Sequence, residues 1–166
     1  MKSDEIPVRL AVPNDGIGLM HLIRMIVAEN GFFPIAEEKV GGLIHAVLTK
    51  QQLNCPTIIG VIGKPDDIQA TICLAVGSLW YTDEPSLGDL WNYVRPDCRK
   101  STHAKSLLEF GKQCADRMNL KFMSGVVSTG RTEAKVRLYR RRFGTPTGAY
   151  FIYHPRKQVS EMKEAV

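Results

Sequence analysis

Between Thr57 and Val94 three apolar, β-rich runs follow one another with no room for a helix between them. They are "TIIGVIG" (57–63), "IQATICLAVGSLWY" (68–81) and "LGDLWNYV" (87–94). The connections "KPDD" and "TDEPS" are turn chemistry, so antiparallel hairpins are the simple outcome. Beyond a basic turn, Ala104, Leu107, Leu108, Gly111, Cys114, Ala115 and Met118 step by three or four, which predicts a helix with one buried face.

The flanks fill in the order. Residues 6–12 predict a first strand, and Asn14 or Asp15 can cap the helix whose apolar positions are Leu19, Leu22, Ile23, Ile26 and Val27. Asn30-Gly31 supplies its stop. A second helix is expected over 36–52, although Gly41-Gly42 weakens it by ~1 kcal/mol per glycine relative to alanine. Residues 121–127 read as a strand, 132–144 as a short basic helix and 148–154 as a last strand. The order β-α-α-β-β-β-α-β-α-β describes an α/β single domain with a mixed sheet. Residues 1–155 form that domain, and 156–166 are a polar tail.

The 166 residues suffice for one core burying about two-thirds of the unfolded surface. The longest apolar runs fall well short of the ~20 residues that cross a bilayer. "MKSDEIPV" has no apolar segment behind its charges, so a cytoplasmic protein without a signal peptide is expected. Cys55, Cys73, Cys98 and Cys114 form no CxxC pair, and the four histidines are scattered. Reduced thiols and no metal site are the expectation.

The net charge of +5 is concentrated. From Arg95 to Arg142 a long series of lysines and arginines faces only Asp97, Glu109, Asp116 and Glu133. Such a block suits a polyphosphate or a nucleic acid; solvated helix faces explain it equally well.

"VRPDCRKSTHAKSLLEF" (94–110) carries the chemistry. A helix starting near Ser101 presents unpaired N–H groups and the positive end of its dipole, which favours phosphate. Ser101 and Thr102 add hydroxyls, Arg99, Lys100 and Lys105 add charge, and Ala104 keeps the first turn small. Plain N-capping is the alternative.

The stretch resembles the acetyl-CoA motif of the GCN5-related N-acetyltransferase (GNAT) superfamily, V-x-P-x-x-R followed by Q/R-x-x-G-x-G/A and a helix with paired leucines. Val94, Pro96, Arg99, Ala104 and Leu107-Leu108 match, whereas Thr102 and Lys100 stand where glycines are usual. "TEAKVRLYRRRFG" is similar to the family's N-x-x-A-x-x-L-Y-x-x-x-G-F helix. It keeps Leu138 and Tyr139, with Thr132 at the asparagine position, Lys135 at the alanine position and Phe143-Gly144 reversed.

The resemblance implies a mostly antiparallel sheet of six to seven strands flanked by about four helices. It also implies acetyl-CoA as co-substrate, with no metal. The backbone of Tyr93, Val94 and Arg95 would pair with pantetheine. Arg99, Lys100, Ser101, Thr102, His103 and Ala104 would hold the pyrophosphate, with Tyr139 at the thioester. A substrate amine would attack the acetyl group directly, and Tyr139 would protonate the departing thiolate. Asp89 is the best-placed carboxylate for a base, ahead of Glu84 and Asp83, with a water chain as the alternative.

Other features carry less. Cys98 beside Arg99 invites a nucleophile reading but lacks a partner at a recognisable spacing. His103 reads as a surface residue, and Arg140 to Arg142 as cations at a helix end that could also meet the cofactor's 3′-phosphate. "GFFP" (31–34), Trp80, Tyr81 and Trp91 are either acceptor-pocket aromatics or core. The acceptor is a small-molecule or peptide amine. Nucleic acid and membrane are not expected as partners, and a homodimer is compatible with the family. A catalytically silent GNAT-fold module binding acyl-CoA or a protein is the rival reading.

Overall fold

The computed structural model describes residues 7–51, 56–128, 130–149 and 151–153. Strand β1 (Arg9–Leu10) leads through a single 3-10 turn to α1 (Gly16–Asn30) and α2 (Glu37–Leu48). Strands β2 (Thr57–Lys64), β3 (Asp67–Ser78) and β4 (Pro85–Val94) follow, then α3 (His103–Met118), β5 (Lys121–Met123) and α4 (Thr132–Phe143). The sheet order is β1-β2-β3-β4-β5, antiparallel throughout except that β5 runs parallel to β4. A parallel neighbour needs a crossover, and α3 is that crossover.

The alternation along β2, β3 and β4 divides their side chains between two cores. On one face Ile59, Val61, Ile68, Cys73 and Tyr93 pack with Leu19, Leu22 and Ile23 of α1 and Ile44 and Leu48 of α2. On the other, Ile62, Ala70, Ile72, Leu74 and Leu87 pack with Leu107, Cys114 and Ala115 of α3. Gly111 lets α3 lie close to β5, since a Cβ there would stand 2.5 Å from the Phe122 ring. Gly63 adopts φ +109 at the β2 irregularity beside the hairpin, a conformation that favours glycine.

Asp15 is the fully buried charge that ties β1 to the start of α1. Its carboxylate accepts two bonds from the Arg9 guanidinium at 2.8 Å and one from the Val12 N–H at 2.7 Å. Burial pushes its pKa up, but Arg9 and the Val12 amide outweigh burial and leave it lowered.

The sheet has five strands among the described residues, not six to seven. Residues 148–149 and 151–153 carry no strand, and Phe151 and Tyr153 are exposed; Tyr150 and His154 of that expected strand lie outside the described residues. The first strand shortens from 6–12 to two residues, and Ile6 lies outside the described residues. Strand β3 stops at Ser78 because Trp80 and Tyr81 form the exposed hairpin tip. The expected strand over 121–127 ends at Met123, for a reason that belongs to the site.

Candidate functional site

Strands β4 and β5 pair over three positions only, Ser86 with Lys121, Leu87 with Phe122 and Gly88 with Met123. At the next residue Asp89 replaces the ladder with its side chain. Its carboxylate accepts from Ser124 Oγ at 2.7 Å and from the Gly125 N–H at 3.2 Å. Leu90 is the extra residue of a bulge, because Cys73 opposes Trp91 and Leu74 opposes Asp89. The two strands therefore fork at Asp89, and among the described residues the edge of β4 beyond it has no strand beside it.

Register fixes what that edge offers. The Arg95 N–H donates to the Gln69 carbonyl at 2.9 Å. Antiparallel alternation then turns the backbone groups of Tyr93 toward β3 and those of Asn92 and Val94 outward. The expectation that Tyr93 and Arg95 offer backbone partners along with Val94 is corrected accordingly: Asn92 and Val94 do. The Val94 carbonyl already accepts from Arg99 Nε at 3.1 Å. Arg99 also donates to both oxygens of Glu29 at 2.6 Å and lies 5.5 Å from the Tyr93 ring centroid. Tyr93 itself donates its hydroxyl to Glu29 at 3.0 Å; burial, with Glu29 adding to it, pushes that phenol up to about 12.

Helix α4 delivers Tyr139 to the fork. Its hydroxyl accepts from Asn92 Nδ2 at 3.2 Å. Burial first, and the Asp89 charge after it, push the phenol up to about 12. Burial likewise raises the Asp89 carboxyl above its ordinary value, against the opposing pull of Ser124 and Gly125. The two sequence-chosen chemical groups, Tyr139 and Asp89, thus share one cluster with Asn92 and Ser124. Glu84 is spent on an exposed ion pair with Lys121, and Asp83 stays in the exposed β3–β4 turn.

The turn after β4 holds a 3-10 segment, Pro96–Cys98, before α3 begins. Among the described residues no protein acceptor takes the N–H of Lys100, Thr102, Ala104 or Lys105. Unpaired amides at a helix start are groups to which an anion can bind. The side chains differ from expectation. Ser101 Oγ donates to the Cys98 carbonyl at 2.6 Å and accepts from the His103 N–H at 3.2 Å, so it stiffens the turn. His103 is buried rather than at the surface, paired through Nε2 with Gln69 at 2.8 Å, and burial lowers its pKa. Arg95 is held by Asp67 and Asp97 at 2.7 Å. Burial raises the Cys98 thiol, against the low-pKa thiolate that a nucleophile favours.

On the α1 side of the fork lies a cavity of about 310 Å³ with almost wholly apolar walls, among them Ile26, Val27, Phe32, Phe33, Val40 and Val127. The "GFFP" aromatics line it. Trp91 instead packs into the α1 core, and Trp80 and Tyr81 meet edge to face in solvent. Of the arginine triplet, Arg142 reaches Glu109 on α3 at 3.3 Å.

Glu29, Asn92, Ser124 and Lys135 were not foreseen. Lys135 donates to Ser128 Oγ at 2.6 Å, and burial, with Arg99 nearby, lowers its pKa. Glu29 did leave a signal: an acid in the last turn of a helix opposes the dipole and calls for a cation. No three His, Cys, Asp or Glu side chains converge as metal ligands among the described residues, and no helix there is long and apolar enough to cross a membrane.

No protein-family model matches the chain, and no curated protein matches it by sequence. Solved structures do match. A predicted acetyltransferase from Clostridium acetobutylicum, solved with acetyl-CoA, has a TM-score of 0.67 at 16% identity, covering 89% of this chain and 94% of that one. AAC(6')-Iy, in complex with the bisubstrate analog CoA-S-monomethyl-acetylneamine, has a TM-score of 0.65 at 13% identity over 90% and 97%. A ribosomal-protein-alanine N-acetyltransferase from Brucella melitensis biovar Abortus 2308 has a TM-score of 0.61 at 13% identity over 89% and 96%. The forked sheet, the crossover helix and these likenesses agree: the chain has the GCN5-related N-acetyltransferase fold.

Proposed function

We propose that the chain is a cytoplasmic, acetyl-CoA-dependent N-acetyltransferase that passes an acetyl group to a primary amine by direct attack on the thioester. One observation carries the reading. The β4–turn–α3 unit offers a β4 edge unpaired among the described residues and four unpartnered amides, and α4 brings the Tyr139 phenol to the fork where Asp89 stands. The neighbours solved with acetyl-CoA and with a CoA bisubstrate analog support it.

In this mechanism pantetheine pairs with Asn92 and Val94 as an added strand, and the pyrophosphate rests on the amides from Lys100 to Lys105. Arg99 leaves the Val94 carbonyl to let the pantetheine amide in. Asp89 takes the proton that the amine must lose, aided by burial, which makes the carboxylate more basic. The nitrogen lone pair forms the C–N bond, the C–S pair departs on sulfur, and Tyr139 donates its hydroxyl proton there. A phenol pushed up to about 12 stays protonated at any working pH. The apolar cavity beside the fork accommodates the substituent that the amine carries.

Free-thiol release from acetyl-CoA across a panel of primary amines tests this. Amine-dependent release is expected. Acetyl-CoA binding without release for any amine would instead mark the chain as a silent acyl-CoA-binding module.

A further inference from the structure

The cavity on the α1 side of the fork has walls that select among amines. They come from the end of α1 (Ile26, Val27), from the connection to α2 (Phe32, Phe33) and from Val127 beyond β5. Among the described residues no charged side chain lines it, and Asn30 is its only polar one. Phe33 is 73% exposed and Val127 53%, so apolar surface stands open to water at the rim. A second cation buried there would lack a counter-charge, which is costly, whereas an apolar group gains by leaving water.

Chain geometry ties the cavity to the chemistry. The Gly125 N–H donates to Asp89 Oδ1 at 3.2 Å, and Val127 follows two residues later, a reach of at most roughly 7 Å. In α1, Glu29 stands between the lining residues Val27 and Asn30 and binds Arg99 and Tyr93 at the end of β4. An apolar cavity of about 150 Å³ already takes up benzene. This one, at about 310 Å³, holds an aromatic ring together with its tether. On the acetyl-transfer reading above, we propose that the acceptor is a primary arylalkylamine whose ring fills this cavity while its nitrogen stands at Asp89. A tether of two carbons, three bonds of about 1.5 Å each, links the two places. The C–N bond forms, the C–S bond breaks, nitrogen gives up one proton and sulfur receives one. The sum is arylalkylamine plus acetyl-CoA giving its N-acetyl amide plus free thiol. A peptide fits this cavity less well, since its backbone amides would find no side-chain partner beyond Asn30.

The test measures kcat/KM of the full chain for thiol release from acetyl-CoA with 2-phenylethylamine, ethylamine, spermidine and a phenylalanine-led tripeptide. 2-Phenylethylamine is expected to exceed ethylamine by roughly 10–100-fold, the usual gain from burying one aromatic side chain, and to exceed the other two. Phe33→Asp and Val127→Asp should each cut that preference by about tenfold. Both side chains are largely exposed, so the variants fold, which circular dichroism checks. Equal kcat/KM for the two monoamines, as when a second copy of the chain covers the cavity, overturns the arylalkylamine assignment while acetyl transfer stands. The highest value with spermidine or the tripeptide overturns it in the same way. A preference that both aspartate variants leave intact overturns the cavity as its source. Thiol release with none of the amines overturns the acetyl-transfer reading and the assignment with it.

Discussion

The Arg99 guanidinium donates to the Val94 carbonyl at 3.1 Å, on the strand edge that an incoming pantetheine would use. Glu29 holds the same guanidinium through both carboxylate oxygens at 2.6 Å. On the proposed pantetheine path, ligand entry and this ion pair would compete for one arginine.

Glu29→Gln should therefore tighten acetyl-CoA binding, because it releases Arg99 from α1 and leaves its charge for the ligand's phosphates. Both side chains are about one-third exposed, so the pair is worth only about 0.2–1 kcal/mol and the gain in Kd is at most about fivefold. Calorimetric titration measures it. Weaker binding in the variant would contradict competition at Val94.

Tyr139→Phe should lower kcat by about 10²-fold or more while leaving acetyl-CoA affinity within about twofold, since proton donation matters only as sulfur departs. Equal loss of both parameters would remove Tyr139 from the chemistry. The pH profile carries a second check. Tyr139 is raised to about 12 by burial, so kcat shows no loss from phenol ionisation below about pH 10. Asp89 is raised by burial and must be ionised to act, so the acidic limb of kcat lies above pH 3.8, the ordinary carboxylate value.

Asp15→Ala should cost roughly 2–3 kcal/mol of stability by stranding the Arg9 guanidinium and the Val12 N–H. Its folded pKa lies below the ordinary 3.8. Its contribution is then fully present above 3.8 and is lost as pH falls through the lower folded value. Denaturant unfolding from pH 7 to pH 2 should show that acid-side loss in wild type and a smaller one in the variant. Parallel curves would contradict it.

Gly111→Ala should destabilise by about 1–3 kcal/mol, the usual cost of overpacking. The new Cβ meets Phe122, whose ring is itself in edge contact with Phe143 at 5.6 Å. An unchanged melting temperature would show that the ring yields freely.

Local pattern made much of this legible. The 57–94 meander, the α1 and α3 stripes and the β4–turn–α3 unit depend on period and turn chemistry, which one sequence displays. Tyr139 and Asp89 were chosen from motif and strand position, and the fold brings both to the fork. What escaped depended on side chains meeting across distant elements. The strand expected to reach residue 127 ended at Met123 because Asp89 captured Ser124 and Gly125. Ser101 and Arg99 were read as ligand donors, yet each serves the protein first, one stiffening the turn and the other bridging Val94 to Glu29. His103 followed the helix register inward to Gln69. No one-dimensional pattern encodes such pairings, because each requires the tertiary fold to exist.

Acetyl-CoA binding to Ala104→Glu, measured by calorimetry beside the wild type, tests the central claim most directly. Ala104 sits in the first turn of α3 with its N–H among the four unpartnered amides. A carboxylate there both fills the nest and repels a pyrophosphate. Saturable binding by the wild type and none detectable in the variant is the predicted result; equal affinity in the two would contradict the site.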